Sequence, residues 1–283
     1  IEVIVCDDAT PGDENEKVIA AFKDKIPNLK YLKNPTNLGV GRNVMRTMEE
    51  AQGEFYMYFS DGDEIPPRYV EASVRILLDY PEAVCATPYI LIPPDSKYFP
   101  VSCMDNSWFR RILIYYLLYQ MSDQWGMAAF GTVFGMRRTS ITRESMREAL
   151  WRWEALRNHT KIGMVDMRGI IDLCYGKFVP IMDKEIMYIM YGDEEKEYEY
   201  IGKHTDTNSF FQNQRDKLWT ISDCLKTNWA HIKIVYDRGG WRCALPFGLL
   251  ILVILLYAAG SSLYQQIRGR WRKILGKEEI TQS

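Results

Sequence analysis

The sequence predicts an α/β protein, a mostly parallel sheet with helices on both faces, followed by one C-terminal membrane helix. Three observations lead there. Strand-like apolar runs alternate with helix-length amphipathic segments from Ile1 to Tyr80, the pattern of βαβ units. Two acidic clusters, Asp7-Asp8 and Asp61-Gly62-Asp63, fall at the ends of two of those runs, where open parallel sheets bind ligands. Towards the other end, no charged residue occurs between Cys243 and Ile267.

Taken in order, Ile1 to Cys6 is rich in β-branched residues and reads as a strand opening into the loop after Asp7-Asp8. Glu16 to Lys25 sets Val18, Ile19, Phe22 and Ile26 at helical spacing and stops before Pro27. LKYLKNP is a short strand. Asn37-Leu38-Gly39-Val40-Gly41 turns into a helix from Arg42 to Ala51, with Gly53 as its stop signal. EFYMYFS is an apolar, aromatic strand ending at Asp61, and after Pro66-Pro67 a helix is expected from Tyr69 to Tyr80. Trp108 to Trp125 is an aromatic-rich helix that faces either a core or a lipid or hydrophobic acceptor. Gly131 to Ile141 reads as strand and turn, Glu144 to His159 as amphipathic helix, and Asp166 to Cys174 as helix. GKFVPIM and EIMYIMY are two strands, and the mostly acidic stretch from Asp193 to Glu199 is a solvated loop.

Composition narrows the function. With 47% apolar residues in a chain of 283 there is material for a full core, which excludes global disorder. Lysine and arginine number 35 against 37 acidic residues, so there is no electrostatic footprint for nucleic acid. The six cysteines (Cys6, Cys85, Cys103, Cys174, Cys224, Cys243) form no CxxC pair and there are three histidines (His159, His204, His231). The pattern argues against a zinc knuckle or disulfide framework, and a reducing compartment fits.

The segment from Ala244 to Tyr264 is long enough for the ~20 residues of a bilayer-spanning helix. A re-entrant or interfacial helix bent at Gly260-Ser261-Ser262 is the alternative. Flanking cations nearly balance: Lys226, Lys233, Arg238 and Arg242 precede it, and Arg268, Arg270, Arg272, Lys273 and Lys277 follow.

Asp61 and Asp63, separated by a glycine that permits a sharp turn, can converge on one cation. Their hard oxygens suit Mg²⁺ or Mn²⁺, which keeps open positions for a diphosphate. The plain alternative is an acidic turn.

IEVIVCDDAT, NPTNLGVGRNVMRTMEEAQGEFYMYFSDGDEIPP and VDMRGIIDLCYGKFVPIMDKEIMYIMYG together resemble the family 2 glycosyltransferases with the GT-A fold, over roughly Ile1 to Tyr191. The resemblance implies that Asp8, with Asp7 beside it, contacts the nucleobase. Asn37, Gly39, Arg42, Asn43 and Asp61 would surround the nucleotide-sugar, Asp61 and Asp63 would bind the metal, and Asp166 would be the catalytic base. Two departures stand out: Val165-Asp166 replaces the family's Glu-Asp pair, and the family's first strand and helix are missing ahead of Ile1, so the chain reads as truncated within its sheet. His204 is either a further metal contact or a surface histidine. Gln212 and Arg215 match part of a processive-synthase signature, with Asp216 where its tryptophan should stand.

The implied function is an inverting glycosyltransferase moving a sugar from a nucleotide-diphosphate donor, a UDP-sugar, to a glycan or lipid-linked acceptor. A catalytically inactive membrane-tethered nucleotide-sugar-binding protein and a nucleotidyltransferase are the competing readings. The expected organisation is a donor-binding half over residues 1–100, an acceptor half over 101–200, a linker over 201–242, the transmembrane or re-entrant helix over 243–267 and a basic tail over 268–283. Because nucleotide-sugars are cytosolic, the catalytic domain of this membrane-associated protein is expected to face the cytoplasm.

Overall fold

The computed structural model describes residues 1–60, 62–93, 96–117, 134–156, 164–190 and 221–274. Two units emerge, Ile1–His231 and Ile232–Ser283.

In the first unit, β1 (Val3–Asp7) and β2 (Leu29–Lys33) pair in parallel, Val3 opposite Leu29 through Asp7 opposite Lys33. The helix between them, α1 (Glu14–Phe22), begins two residues before the expected Glu16 and ends three before Lys25. Helix α2 (Val40–Glu50) follows, and its apolar stripe of Val44, Met45 and Met48 is buried. That stripe packs with Tyr56 and Met146, so helix and sheet share one core cluster.

The strand expected from EFYMYFS keeps only Phe55–Tyr56 as β3. After α3 (Tyr69–Asp79) come three strands that the periodicity did not separate: β4 (Ala83–Thr87), β5 (Tyr89–Ile92) and β6 (Ser96–Tyr98). Helix α4 (Trp108–Tyr115) is the ordered start of the aromatic segment, whose continuation to Trp125 lies outside the described residues. Then follow β7 (Met136–Arg138), α5 (Thr139–Leu156), α6 (Met164–Tyr175), β8 (Lys177–Pro180) and β9 (Met187–Ile189).

Strand β4 is buried at all five positions, as expected of a central strand covered on both faces. It lies between β8, parallel to it, and β7, antiparallel to it, with β3 beyond β7. In the third sheet β5 pairs in parallel with β9 and antiparallel with β6. The architecture is α/β with parallel crossovers into which hairpin-like strands are set; pairing order is a long-range property that strand periodicity does not encode.

Charge is built into this core. Arg137 on β7 is fully buried and donates to the equally buried Asp172 of α6, while Arg168 Nε lies 3.6 Å from the same carboxylate oxygen. The cluster carries one net positive charge, and burial together with Arg137 brings the Arg168 pKa down to about 10.

The last described element is a helical segment, α7 (Ile221–Ile274), interrupted at Gly240, whose φ of 61° and ψ of −161° are non-helical. Its backbone is helical at Gly260-Ser261-Ser262, where the alternative reading placed a bend, and the break lies twenty residues earlier. Gly240 can adopt this conformation because it has no Cβ. Asn228–Leu256 is long and apolar enough to cross a membrane, and Trp241, Leu245, Leu249, Leu252, Val253 and Leu256 are exposed along it.

Candidate active site

The first acidic cluster forms where β1 ends. Asp7 is buried; its carboxylate accepts from the Thr10 backbone N–H (2.7 Å), Asn15 Nδ2 (3.0 Å) and the Tyr31 hydroxyl (2.8 Å). Those donors, the Thr10 N–H foremost, hold its pKa well below the usual carboxylate range. Burial and the Asp7 charge push Tyr31 up to about 12, so the phenol remains a donor. Ala9, between the two loop contacts, takes φ of 65°, a left-handed conformation uncommon outside glycine and a mark of imposed geometry.

Asp8 does something different. It accepts from the backbone N–H groups of Leu38 and Gly39, each at 2.8 Å, and from Asn34 Nδ2 at 2.8 Å. Gly39 caps α2 at φ of 80°, which a side chain would strain, and its N–H is shared with Asn37 Oδ1 at 3.0 Å. Asn34 is buried and also donates to Asn43 Oδ1 (2.9 Å), while Asn43 donates to the Cys6 carbonyl (3.0 Å). The structure thus joins Asp8, Asn37, Gly39 and Asn43 into one hydrogen-bonded unit. Its hub, Asn34, was missed in the sequence, where only the Asn-Pro dipeptide marks it.

The Leu38 N–H is the first cause of the lowered Asp8 pKa. A depressed carboxylate stabilises the fold fully above its unfolded value, about 4, and that contribution disappears as pH falls through the lower folded value. Wild type is therefore expected to lose stability as pH falls below about 4, whereas Asp8→Asn, already neutral, depends less on acid there. Urea unfolding at several pH values checks this, and equal acid slopes would contradict it.

Arg42, in the first turn of α2, is exposed and donates through Nε to Glu154 of α5 at 2.6 Å. This places the guanidinium beside the same turn, steered by a carboxylate 112 residues away.

A second cluster lies beyond β3. The Asp63 N–H donates to the Ser60 carbonyl (3.2 Å), closing a turn. Glu64 and Ile189 exchange two backbone hydrogen bonds (2.9 and 2.8 Å). The Tyr188 hydroxyl donates to Asp63 Oδ2 at 2.5 Å and accepts from the Ser60 N–H at 3.3 Å. Burial, then the Asp63 contact, raises the Tyr188 pKa far above its ordinary value.

Among the described residues no three His, Cys, Asp or Glu side chains gather to enclose an ion. Magnesium sites commonly use one or two carboxylates with substrate phosphates and water, and the partly exposed Asp63 carboxylate suits that arrangement. Asp61, His204, Gln212 and Arg215 lie outside the described residues. Asp166 is placed in the first turn of α6, its backbone described and its side chain outside that description.

The fold is of the α/β class, with one carboxylate loop after β1 and another after β3. A model of the glycosyl transferase family 2 matches residues 1–144, about half of the chain, and the chain belongs to that family. A search of curated protein sequences gives no match. Among solved structures, S. aureus TarS 1-349 is similar over 94% of this chain and 82% of its own, at 14% identity and a TM-score of 0.49. TarS 1-349 in complex with UDP has the same coverage, with 16% identity and a TM-score of 0.47. A further S. aureus TarS structure is similar over 84% of this chain and 44% of its own, also at 16% and 0.47.

Proposed function

We propose that this chain is an inverting glycosyltransferase that moves a sugar from a UDP-sugar to a hydroxyl of a glycan or lipid-linked acceptor at a membrane. Family membership supplies the reaction class. The observation that supports the donor reading is the joining of Asp8 to the Leu38 and Gly39 amides, which holds an acidic group and a helix N-terminus in one rigid unit past the sheet.

In this reading Asp8 faces the nucleobase, while Asp7 fixes the loop that presents it. Asn37, Gly39 and Asn43 shape the cradle at the start of α2. Arg42 keeps its terminal nitrogens for the diphosphate, since its described bond uses Nε alone. Asp61 and Asp63 would hold Mg²⁺ or Mn²⁺, whose charge offsets that of the leaving diphosphate. Asp166 takes the proton of the acceptor hydroxyl as the oxygen attacks the anomeric carbon opposite the diphosphate, which inverts that centre without a covalent enzyme intermediate. The exposed apolar face of Asn228–Leu256 associates with lipid, and the catalytic domain faces the cytoplasm, where the donor is made.

Incubation of the full chain with a panel of UDP-sugars, Mn²⁺ and glycan or lipid-linked acceptors tests the proposal. UDP release with an inverted anomeric centre in the product is expected; absence of both UDP binding and UDP release overturns it. Asp166→Asn should lower kcat by on the order of a hundredfold with UDP affinity nearly unchanged, because a base acts in the transition state. Loss of UDP affinity instead would assign Asp166 to the donor pocket.

A further inference from the structure

We infer that Tyr188 is a positioning residue for Asp63, fixing that carboxylate in place before a divalent cation and diphosphate arrive; the inference rests on the metal role proposed above. The phenol ring is fully buried. It stacks on Phe134, with centroids 4.2 Å apart at an interplanar angle of 16°, and meets Tyr69 and Phe59 edge-on at 6.3 and 6.0 Å. Contacts on three sides fix where the hydroxyl sits.

Its hydrogen bonds also have a direction. The Ser60 N–H donates to the phenol oxygen, so the phenol proton is the one offered to Asp63 Oδ2. The two backbone bonds between Glu64 and Ile189 hold the other flank of the same loop against β9. A carboxylate that must ligate an ion is thus oriented by a buried donor 125 residues away. Outer partners of this kind account for about 10–100-fold in metal affinity or activity in metal sites generally.

Tyr188→Phe keeps the ring and removes only the hydroxyl. In the full chain, Mn²⁺ binding in the presence of UDP, followed by electron paramagnetic resonance, should weaken by about tenfold or more. UDP binding without metal should stay within about twofold of wild type, since the Asp8 unit is untouched. Tyr69→Phe serves as the control: it removes another buried hydroxyl from the same core, one that donates to the Phe134 carbonyl at 2.9 Å, and should leave Mn²⁺ affinity unchanged. Thermal melts of both variants show that each is folded.

Equal Mn²⁺ affinity in wild type and Tyr188→Phe overturns the inference. So does an equal loss in Tyr69→Phe, or loss of metal-free UDP binding in Tyr188→Phe, since either reports a loosened core. If wild type itself binds no Mn²⁺ in the presence of UDP while still binding UDP, the metal reading fails and Tyr188 falls with it.

Discussion

Asp63→Ala is expected to lower metal-dependent transfer by about a thousandfold, the several kcal/mol that a cation supplies to a departing diphosphate, while the chain stays folded. The carboxylate sits on a partly exposed turn, and Tyr188 donates to it. Losing that bond costs about 1 kcal/mol, small beside a typical domain stability of about 5–15 kcal/mol. Parallel measurement of UDP release with Mn²⁺ and of the melting transition separates the two effects. Full activity in the variant would remove Asp63 from the metal site.

Asp172→Ala should act in the opposite way, destroying stability without touching the Asp8 unit. Arg137 and Arg168 would be left in the core with no carboxylate beside them, and an uncompensated buried charge typically costs about 3–5 kcal/mol. Even in the native protein Arg137 Nε and Arg168 Nη2 lack a hydrogen-bond partner, so the remaining charges have no local group to turn to. Urea unfolding is expected to show a much lower midpoint. Replacing all three residues with apolar ones of similar volume should recover most of the loss, because both charge and desolvation cost then disappear. An unchanged midpoint in Asp172→Ala would mean that the ion cluster carries no stability.

The first sixty residues were the most legible. Strand, acidic pair, turn and amphipathic α2 each follow from local chemistry, and the Asp8 unit is assembled from residues within 40 positions of one another. What the sequence hid was long-range. The run from Ala83 to Ile92 is divided at Thr87-Pro88 into β4 and β5, but neither half is long enough to show a period of its own. Nothing local marks Arg137 and Asp172, 35 residues apart, as partners. Tyr188 looked like one more apolar residue in EIMYIMY; only the fold shows that its hydroxyl faces Asp63. Asn34 and Glu154 were hidden for the same reason, each acting through a partner on another element.

The seam between Glu64 and Ile189 also orders events during synthesis. Residues 60–64 leave the ribosome long before residue 189 does, and a nascent chain grows at about 5–20 residues per second. For several seconds the acidic turn therefore exists without the strand and the phenol that shape it, whereas the Asp8 unit already has all its partners. The Asp8 unit can form early on the nascent chain, but the geometry around Asp63 is completed only when β9 arrives. The turn around Asp63 is thereby the later of the two acidic loops to reach its final shape.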